Sequence, residues 1–589
     1  MTHDHEMTDQ PAEDRALQVI GYHQATKHHF YRYARALGYM DWANQPNPFR
    51  RYEGAPLVPL PLLGADTEPL SPTYDAIYQT MRASRTSAVS IQPVTLATVS
   101  RFLEYALALS AWKQVGDTRW ALRTNPSSGN LHPTEGYLIL GNIPGFGQGP
   151  GVYHYAPKEH GLELRAQWPS DVFAGVMQAF PSNAFLFGLT SIHWRESWKY
   201  GERAFRYCQH DVGHAIGSAR IAAATLGWQM TLLDDVSDDD IVSLLGIGRD
   251  ADYAEAEREH PDCLAAVWPS RPADSTEAAP SLPFAIDADT IERIEHVTWH
   301  GKANRLSREK PHPWEIIDVV AAASWKPRTV PPTARHDMGI GTSFDRLACT
   351  HDERYQQSRL AGHIIRQRRS ALAFDGKTSI SADRLFLMLA RVMPGGECAL
   401  QQRPMPWDAI PWDARIHLAL FVHRVDGLSP GLYMLVRDPA KLTELREAMH
   451  SEFSWTRPPR CPDDLPFYGL QEGDARQLAT QLSCHQDIAG AGAFSLGMIA
   501  EFELTIRRSG PWCYRRLFWE TGVIGQVLYL EAEAAGVRAT GIGCFFDDPV
   551  HQVFGFQDTK FQSLYHFTVG GPIDDPRLTT LPAYGTSDD

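Results

Sequence analysis

Paired cysteine motifs are missing from this chain of 589 residues. Its eight cysteines stand at 208, 263, 349, 398, 461, 484, 513 and 544, and none forms a CxxC, which excludes a zinc ribbon and a disulfide framework. Reduced thiols in a cytoplasmic protein are the expectation. No apolar run approaches the ~20 residues that span a bilayer, and the acidic, polar segment from Met1 to Asp14 is unlike a signal peptide, so no membrane partner is expected. Basic blocks are also lacking. A net charge of −15, spread along the chain, excludes a duplex nucleic-acid partner, because phosphate affinity rests on clustered Lys and Arg. The 24 histidines, His3, His5, His28 and His29 among them, have no acidic partner recurring at ligand spacing, so no metal is expected. Low-complexity tracts are absent, and 43% apolar with 21% charged residues is the composition of a folded chain.

That length exceeds one ordinary core and predicts two or three domains. The periodicity predicts a helix from Ala16 to Leu37, then an ordered Pro- and aromatic-rich loop from Asp41 to Pro72. Two amphipathic helices broken near Pro93 are expected between Tyr74 and Ser110, strands at Gly136 to Leu140 and Gly151 to Tyr155, and a long small-residue helix from Arg206 to Leu226. The Pro-, Ser- and Ala-rich stretch from Pro269 to Pro283 reads as a linker, and a second unpatterned stretch runs from Ala323 to Thr350. The division is an N-terminal tail, helix and aromatic loop (1–73), a first domain (74–268), a linker and irregular connection (269–350) and a second domain (351–589).

The second half repeats the first. Arg82-Ala-Ser84 corresponds to Arg368-Arg369-Ser370, Arg123-Thr-Asn-Pro126 to Arg403-Pro-Met-Pro406, and Gly151-Val-Tyr153 to Gly431-Leu-Tyr433, the last two pairs sharing an offset of 280. Gly213 pairs with Gly522 and Gly227 with Gly536, both at an offset of 309 inside or at the end of expected helices. Ordered matches with such a long period mean duplicated domains rather than a solenoid.

With these residues in view, the chain resembles the nitroreductase superfamily, and within it the SagB-type dehydrogenases similar to the azoline oxidases of peptide natural-product biosynthesis. The resemblance is carried by Arg368-Arg369-Ser370, by the segment from Arg123 through Pro126-Ser127-Ser128-Gly129-Asn130 to Pro133, by Gly151 to Tyr155, by Lys199-Tyr200-Gly201 and by Gly541-Ile542-Gly543, and it spans about residues 75–250 and 360–575. It implies an α+β fold of two tandem domains, each a mainly antiparallel sheet surrounded by helices, packed as an intramolecular pseudo-dimer. It also implies FMN between the halves. One half supplies the Arg-Arg-Ser segment and the glycine-containing backbone, the other the Pro-Ser-Ser segment.

The halves have diverged unequally. Domain 2 keeps Arg368, Arg369, Ser370 and Gly541-Ile542-Gly543, while domain 1 keeps Pro126, Ser127, Ser128, Gly129 and Asn130, and together these make one complete set. The opposite set would use Pro406-Trp407-Asp408 and the Trp228 segment, where a bulky indole and an anion replace small donors, so one competent site is expected. In it, Arg368 and Arg369 suit a phosphate dianion through charge-assisted, bidentate bonds, with Ser370 in support. Ser127 and Ser128 can bond the ribityl chain or ring edge, and Gly541 and Gly543 allow close backbone approach to the flavin.

The resemblance assigns catalysis to Lys199 and Tyr200, where domain 2 has Arg508-Ser509 at the 309 offset. It implies proton removal by Lys199 or Tyr200 while hydride passes to the flavin, desaturating a C–N or C–C bond of a small-molecule or peptide-derived substrate, with oxygen or another acceptor closing the cycle. His132, Glu135 and Tyr207 are further near-site candidates, better suited to structural roles. Two other readings are an NAD(P)H-dependent nitro or quinone reductase and a flavin- or peptide-binding module using the aromatic loop from Trp42 to Tyr52. The N-terminal extension, Ala254 to Ala285 and Ser451 to Pro466 are expected to be additions to a minimal domain, and places where substrate choice could reside.

Overall fold

The computed structural model describes residues 11–62, 64, 70–79, 89–181, 183–270, 286–329, 359–395 and 403–585. Two antiparallel sheets share one plan. The first runs in the order Leu57–Pro59, Gly161–Gln167, Gly151–Ala156, Thr134–Leu140, Phe185–Ser191, His260–Pro269, Trp228–Leu232. The second runs Phe467–Glu472, Gly431–Leu435, Ile416–Val422, Phe494–Glu501, Phe561–Gly570, Arg538–Ile542. From the second strand of the first sheet onward, each position has its counterpart in the other. The central strands are buried along their whole length, because helices cover both faces and leave no wet side.

Between corresponding strands of each half lies a helix of 22 residues, Ala204–Thr225 in the first and Cys513–Ala534 in the second, buried throughout. These helices cross at glycine. A Cβ on Gly213 would lie 2.8 Å from the Cα of Gly522, and one on Gly522 would lie 2.7 Å from the Cα of Gly213. Only the missing side chains let the two backbones approach this closely. Around the crossing, Trp519 Nε1 donates to Gln209 Oε1 at 2.6 Å and His210 Nδ1 pairs with the Thr521 hydroxyl at 2.9 Å. A single apolar core runs through both halves, from Val99 and Phe102 to Leu418 and Phe567.

The halves are also stitched by charge. Asp547 Oδ2 accepts from Arg203 Nη1 at 2.9 Å and Oδ1 from Arg206 Nη1 at 2.8 Å, with all three side chains buried. Both chain ends cross over: the helix Ala12–Ala25 packs on Glu503–Ser509 of domain 2, and the strand Thr579–Leu581 pairs with Leu109–Val115 of domain 1.

Several local expectations change. The helix expected to reach Leu37 ends at Ala25, because the Asp547 carboxylate takes the His28 N–H at 2.9 Å and Lys27 pairs with Asp548 at 2.7 Å, drawing the chain off the helical path. Of the two helices expected between Tyr74 and Ser110, Ala76–Gln79 and Leu96–Ala106 are seen. The latter starts from a Thr95/Thr98 capping box after Pro93, while Leu109–Val115 is a strand. Strands and the long helix stand within two residues of their expected starts. The connection is not wholly irregular: Ala288–Glu295, capped by Asp287, and Glu315–Ala323 are helices whose Ile294, Ile317 and Val320 are buried. Nor is Ala254 to Ala285 simply an addition, since His260–Pro269 is an inner strand whose counterpart is Phe561–Gly570. Arg82-Ala-Ser84 and most of both linker stretches lie outside the described residues.

Candidate functional site

The segment after the strand Thr118–Arg123 turns sharply, with Gly129, Asn130 and His132 all at positive φ of 59°, 61° and 52°. A turn in the left-handed region is costly for non-glycine residues and persists only where its surroundings fix it. Here they do. Ser127 Oγ accepts from the His132 N–H at 2.7 Å, Asn130 Nδ2 donates to Ala121 O at 2.8 Å, and the His132 ring meets Asn130 Oδ1 at 3.0 Å. Asp211, on the central helix, accepts from the Ser128 N–H at 3.0 Å and the Ser128 hydroxyl at 3.1 Å.

Lys199 and Tyr200 close over this turn. They end the helix His193–Tyr200, whose Trp194 and Trp198 pack on Leu131. A Cβ on Gly129 would sit 2.6 Å from the Tyr200 hydroxyl and 3.1 Å from Lys199 Nζ, so glycine is required by space as well as by φ. Lys199 is exposed, with Nζ 5.1 Å from the Tyr200 ring centre. The aromatic loop covers the same helix: Trp198 Nε1 donates to Asp41 O at 3.0 Å and Trp42 meets the Trp198 ring edge-on.

Domain 2 arrives from the other side. Tyr200 stacks edge-on against Tyr207 at 4.5 Å, and the space beside Gly543 that a Cβ would need is filled by the Tyr207 ring. Gly541 likewise makes room for the Tyr565 hydroxyl, which lies 3.2 Å from His214 Nε2, while the His210 ring stacks on Tyr565 at 4.0 Å. Both glycines thus admit tyrosine rings, rather than leaving bare backbone for a ligand. Ile542 points into the domain 2 core and offers only backbone. Ser370 docks beside Ala539, and the Tyr529 hydroxyl bridges the two domain 2 motifs, 2.9 Å from Ser370 Oγ and accepting from the Gly541 N–H at 2.9 Å.

The two arginines differ. Arg368 is 4% exposed, donates through Nε and Nη2 to the carbonyls of Thr124 and Arg123 at 3.2 and 2.9 Å, and lies over the Tyr529 ring. Its Nη1 is buried with no hydrogen-bond partner among the described residues. Arg369 donates to the Arg366, Arg368 and Ser110 carbonyls. Among the described residues neither has a carboxylate partner, and burial pushes the pKa of both down, Arg369 to about 10. A buried cation with a free donor calls for an anion.

The structure therefore brings Pro126 to Asn130, Lys199 and Tyr200 of domain 1 together with Arg368 to Ser370 and Gly541 to Gly543 of domain 2. Of the three further candidates, Tyr207 lines this place and His132 locks the turn. Glu135 instead belongs to a buried ion network with Arg195 and with His154, 3.1 Å away. Asp211, Tyr529, Tyr565 and Glu196 were not anticipated. Burial pushes the Asp211 carboxyl up to about 7 against the hydrogen bonds of Ser127 and Ser128. Glu196 is fully buried, both its oxygens lack partners among the described residues, and burial together with Asp211 holds its pKa well above the carboxylate range.

At the pseudo-equivalent place the described residues fill the space with an ion pair and two indoles. Arg220, which stands 309 residues before Tyr529, donates to both oxygens of Asp408 at 3.0 and 2.7 Å and to the Trp228 carbonyl at 3.1 Å. Trp407 and Trp228 are each at most 2% exposed, their indole N–H groups donating to Arg391 O and Gln92 O.

Comparison with known proteins fits this geometry. Residues 86–254 match the nitroreductase family model. Over that stretch the first domain is similar to the nitroreductase family. A protein named as a nitroreductase from Methanocaldococcus jannaschii is 27% identical over 159 residues, 26% of this chain and 76% of that one. The trifolitoxin-processing protein TfxB of Rhizobium leguminosarum bv. trifolii is 29% identical over 163 residues, 26% of this chain and 43% of that protein, so the match spans less than half of it. A crystal structure described as a nitroreductase from Anabaena variabilis covers 94% of this chain and 99% of its own at a TM-score of 0.62 and 19% identity. The tandem nitroreductase-like fold thus recurs within another single chain. No helix among the described residues is long and apolar enough to cross a membrane, and no group of three or more His, Cys, Asp or Glu among them could hold a metal ion.

Proposed function

We propose that the chain is an FMN-dependent dehydrogenase with one site between its domains, acting on a C–N or C–C bond of a small-molecule or peptide-derived substrate. The observation that carries the reading is the pairing of complementary motifs at one place, together with the Arg220–Asp408 ion pair and two buried tryptophans at the other. Arg368 and Arg369 would hold the phosphate, the free Nη1 of Arg368 being the donor that a buried anion would satisfy. FMN, when bound, supplies the two-electron acceptor that side chains lack.

The remaining roles belong to the protein. Burial, followed by Glu196, holds the Tyr200 phenol far above its ordinary range, so Tyr200 keeps its proton and serves as a donor that orients the substrate. Proton removal then falls to Lys199, exposed at the mouth of the site. The rings of Tyr207, Tyr565 and Tyr200 exclude water. The name of the Rhizobium relative, which ties that protein to processing of trifolitoxin, supports a peptide-derived substrate.

The test is turnover by Lys199→Ala and Tyr200→Phe after their flavin content has been measured. Loss of turnover with flavin retained supports the assignment, and normal turnover in both contradicts it. Rapid flavin reduction by NAD(P)H would instead indicate a nitro or quinone reductase.

A further inference from the structure

Two cysteines sixty positions apart in the sequence meet beside the site. Cys544 follows Gly543 directly, and its Sγ lies 2.7 Å from the Sγ of Cys484, closer than unbonded sulfur atoms pack. Both are half-exposed, whereas Cys208, Cys263 and Cys513 are buried and Cys461 has no cysteine beside it among the described residues. The segments that carry them are fastened on either side. Phe546 N donates to Leu482 O at 2.8 Å, and Gln486 Nε2 donates to Cys544 O at 3.1 Å. Cys484 and His485 both sit at positive φ, 54° and 58°, a conformation that two successive non-glycine residues adopt only when the surroundings impose it. That conformation turns the Cys484 thiol toward its partner.

The chemistry around the pair favours exchange. Of the two thiols Cys544 ionises first, favoured by Cys484 and then by the Arg203 guanidinium, with burial and Asp547 acting against it. The other ionisable groups facing the pair include Tyr33, half-exposed on the surface side, and Tyr207 and Tyr200 on the site side. A thiolate near a guanidinium and within reach of solvent is the attacking group in disulfide exchange.

We propose that Cys484 and Cys544 form a redox-active pair that closes to an internal disulfide by exchange with a small-molecule disulfide of the glutathione class. The Cys544 thiolate attacks one sulfur of the small disulfide and expels the first small thiolate, leaving a mixed disulfide. Cys484 gives up its proton, attacks Cys544 Sγ and expels the second. Two cysteine thiols are oxidised to one disulfide, one small disulfide is reduced to two thiols, and the protons leave with those thiols. The bond ties the loop at Cys484 to the turn that ends at Gly543. Thiol state would therefore set the rigidity of backbone beside Tyr207, a consequence for catalysis that alone rests on the flavin reading.

The experiment uses the full chain, equilibrated in graded ratios of oxidised to reduced glutathione, trapped with N-ethylmaleimide and mapped by peptide mass spectrometry. The expected result is a 484–544 cross-link, two hydrogens lighter than the dithiol, that appears in one reversible transition while Cys461 remains alkylated. In Cys484→Ser, Cys544 should instead accumulate as the mixed glutathione adduct. Free alkylation of both residues in the wild type at the most oxidising ratio would overturn the proposal, as would a persistent glutathione adduct on Cys544 with Cys484 present. Flavin content measured on the same samples keeps the two readings separate, since the cross-link is expected with or without bound flavin.

Discussion

Gly213 and Gly522 touch across the crossing of the two central helices, each standing where the other's Cβ would have to go. They are also equivalent residues of the two halves, 309 positions apart. An equivalent pair in mutual contact lies on the two-fold axis of an isologous interface, which is how two subunits of a symmetric dimer meet. Gly213→Ala, which would press a methyl group on the Trp519 backbone, should lower stability by about 1–3 kcal/mol through overpacking. Gly522→Ala should do the same, and the double variant should not be additive, because both changes act on one contact. Denaturant unfolding of the three proteins checks this; additive effects would place the glycines outside a common contact.

Removing Asp547 charge should separate the domains energetically. Arg203 and Arg206 hold its carboxyl far below the usual range, so its contribution is present above the unfolded pKa and is lost as pH falls through the folded one. Asp547→Asn leaves two buried guanidinium groups without their anion and should cost on the order of 3–5 kcal/mol at neutral pH. Urea midpoints at pH 7 give the answer, and an unchanged midpoint would contradict it.

Asp211 predicts the opposite pH sign. Its folded pKa, raised to about 7, exceeds the unfolded value, so its contribution is complete below about pH 4 and declines as pH rises through about 7. Asp211→Asn should flatten this decline, by an amount on the order of a few kcal/mol, since one pKa unit is worth about 1.4 kcal/mol. Asp262, also raised to about 7 by burial, leaves part of the slope in the variant. Comparing unfolding midpoints at pH 5 and pH 8 tests it; equal slopes in both proteins would show that Asp211 does not titrate there.

Trp407 should matter to the fold and not to the cofactor. Trp407→Ala opens a cavity in the core and should cost about 3–5 kcal/mol, with flavin content per folded chain unchanged. Loss of flavin from a chain that remains folded would mean that the second place takes part in binding.

Duplication, single strands and the long helices were legible because repeated glycines, Gly-x-Tyr strands and ordered motifs are local features of the chain, whereas the antiparallel plan came through the resemblance. The residues that meet at the site were legible through the resemblance, since nothing local links Arg368 to Thr124 or Gly543 to Tyr207. What escaped depends on tertiary contacts. The helix stop at Ala25 is imposed by Asp547 and Asp548, more than five hundred positions away, and the strand His260–Pro269 is fixed by pairing between two others. Asp211 and Tyr529 became visible only when their partners Ser128, Ser370 and Gly541 were beside them.

One flavin place per chain, built from both domains, makes a countable expectation. The most direct measurement is the FMN released per chain on denaturation, for the wild type and for Arg368→Ala. About one FMN per wild-type chain and a marked loss in the variant are expected. Two per chain would contradict the closed second place, and none after reconstitution would contradict the flavin reading altogether.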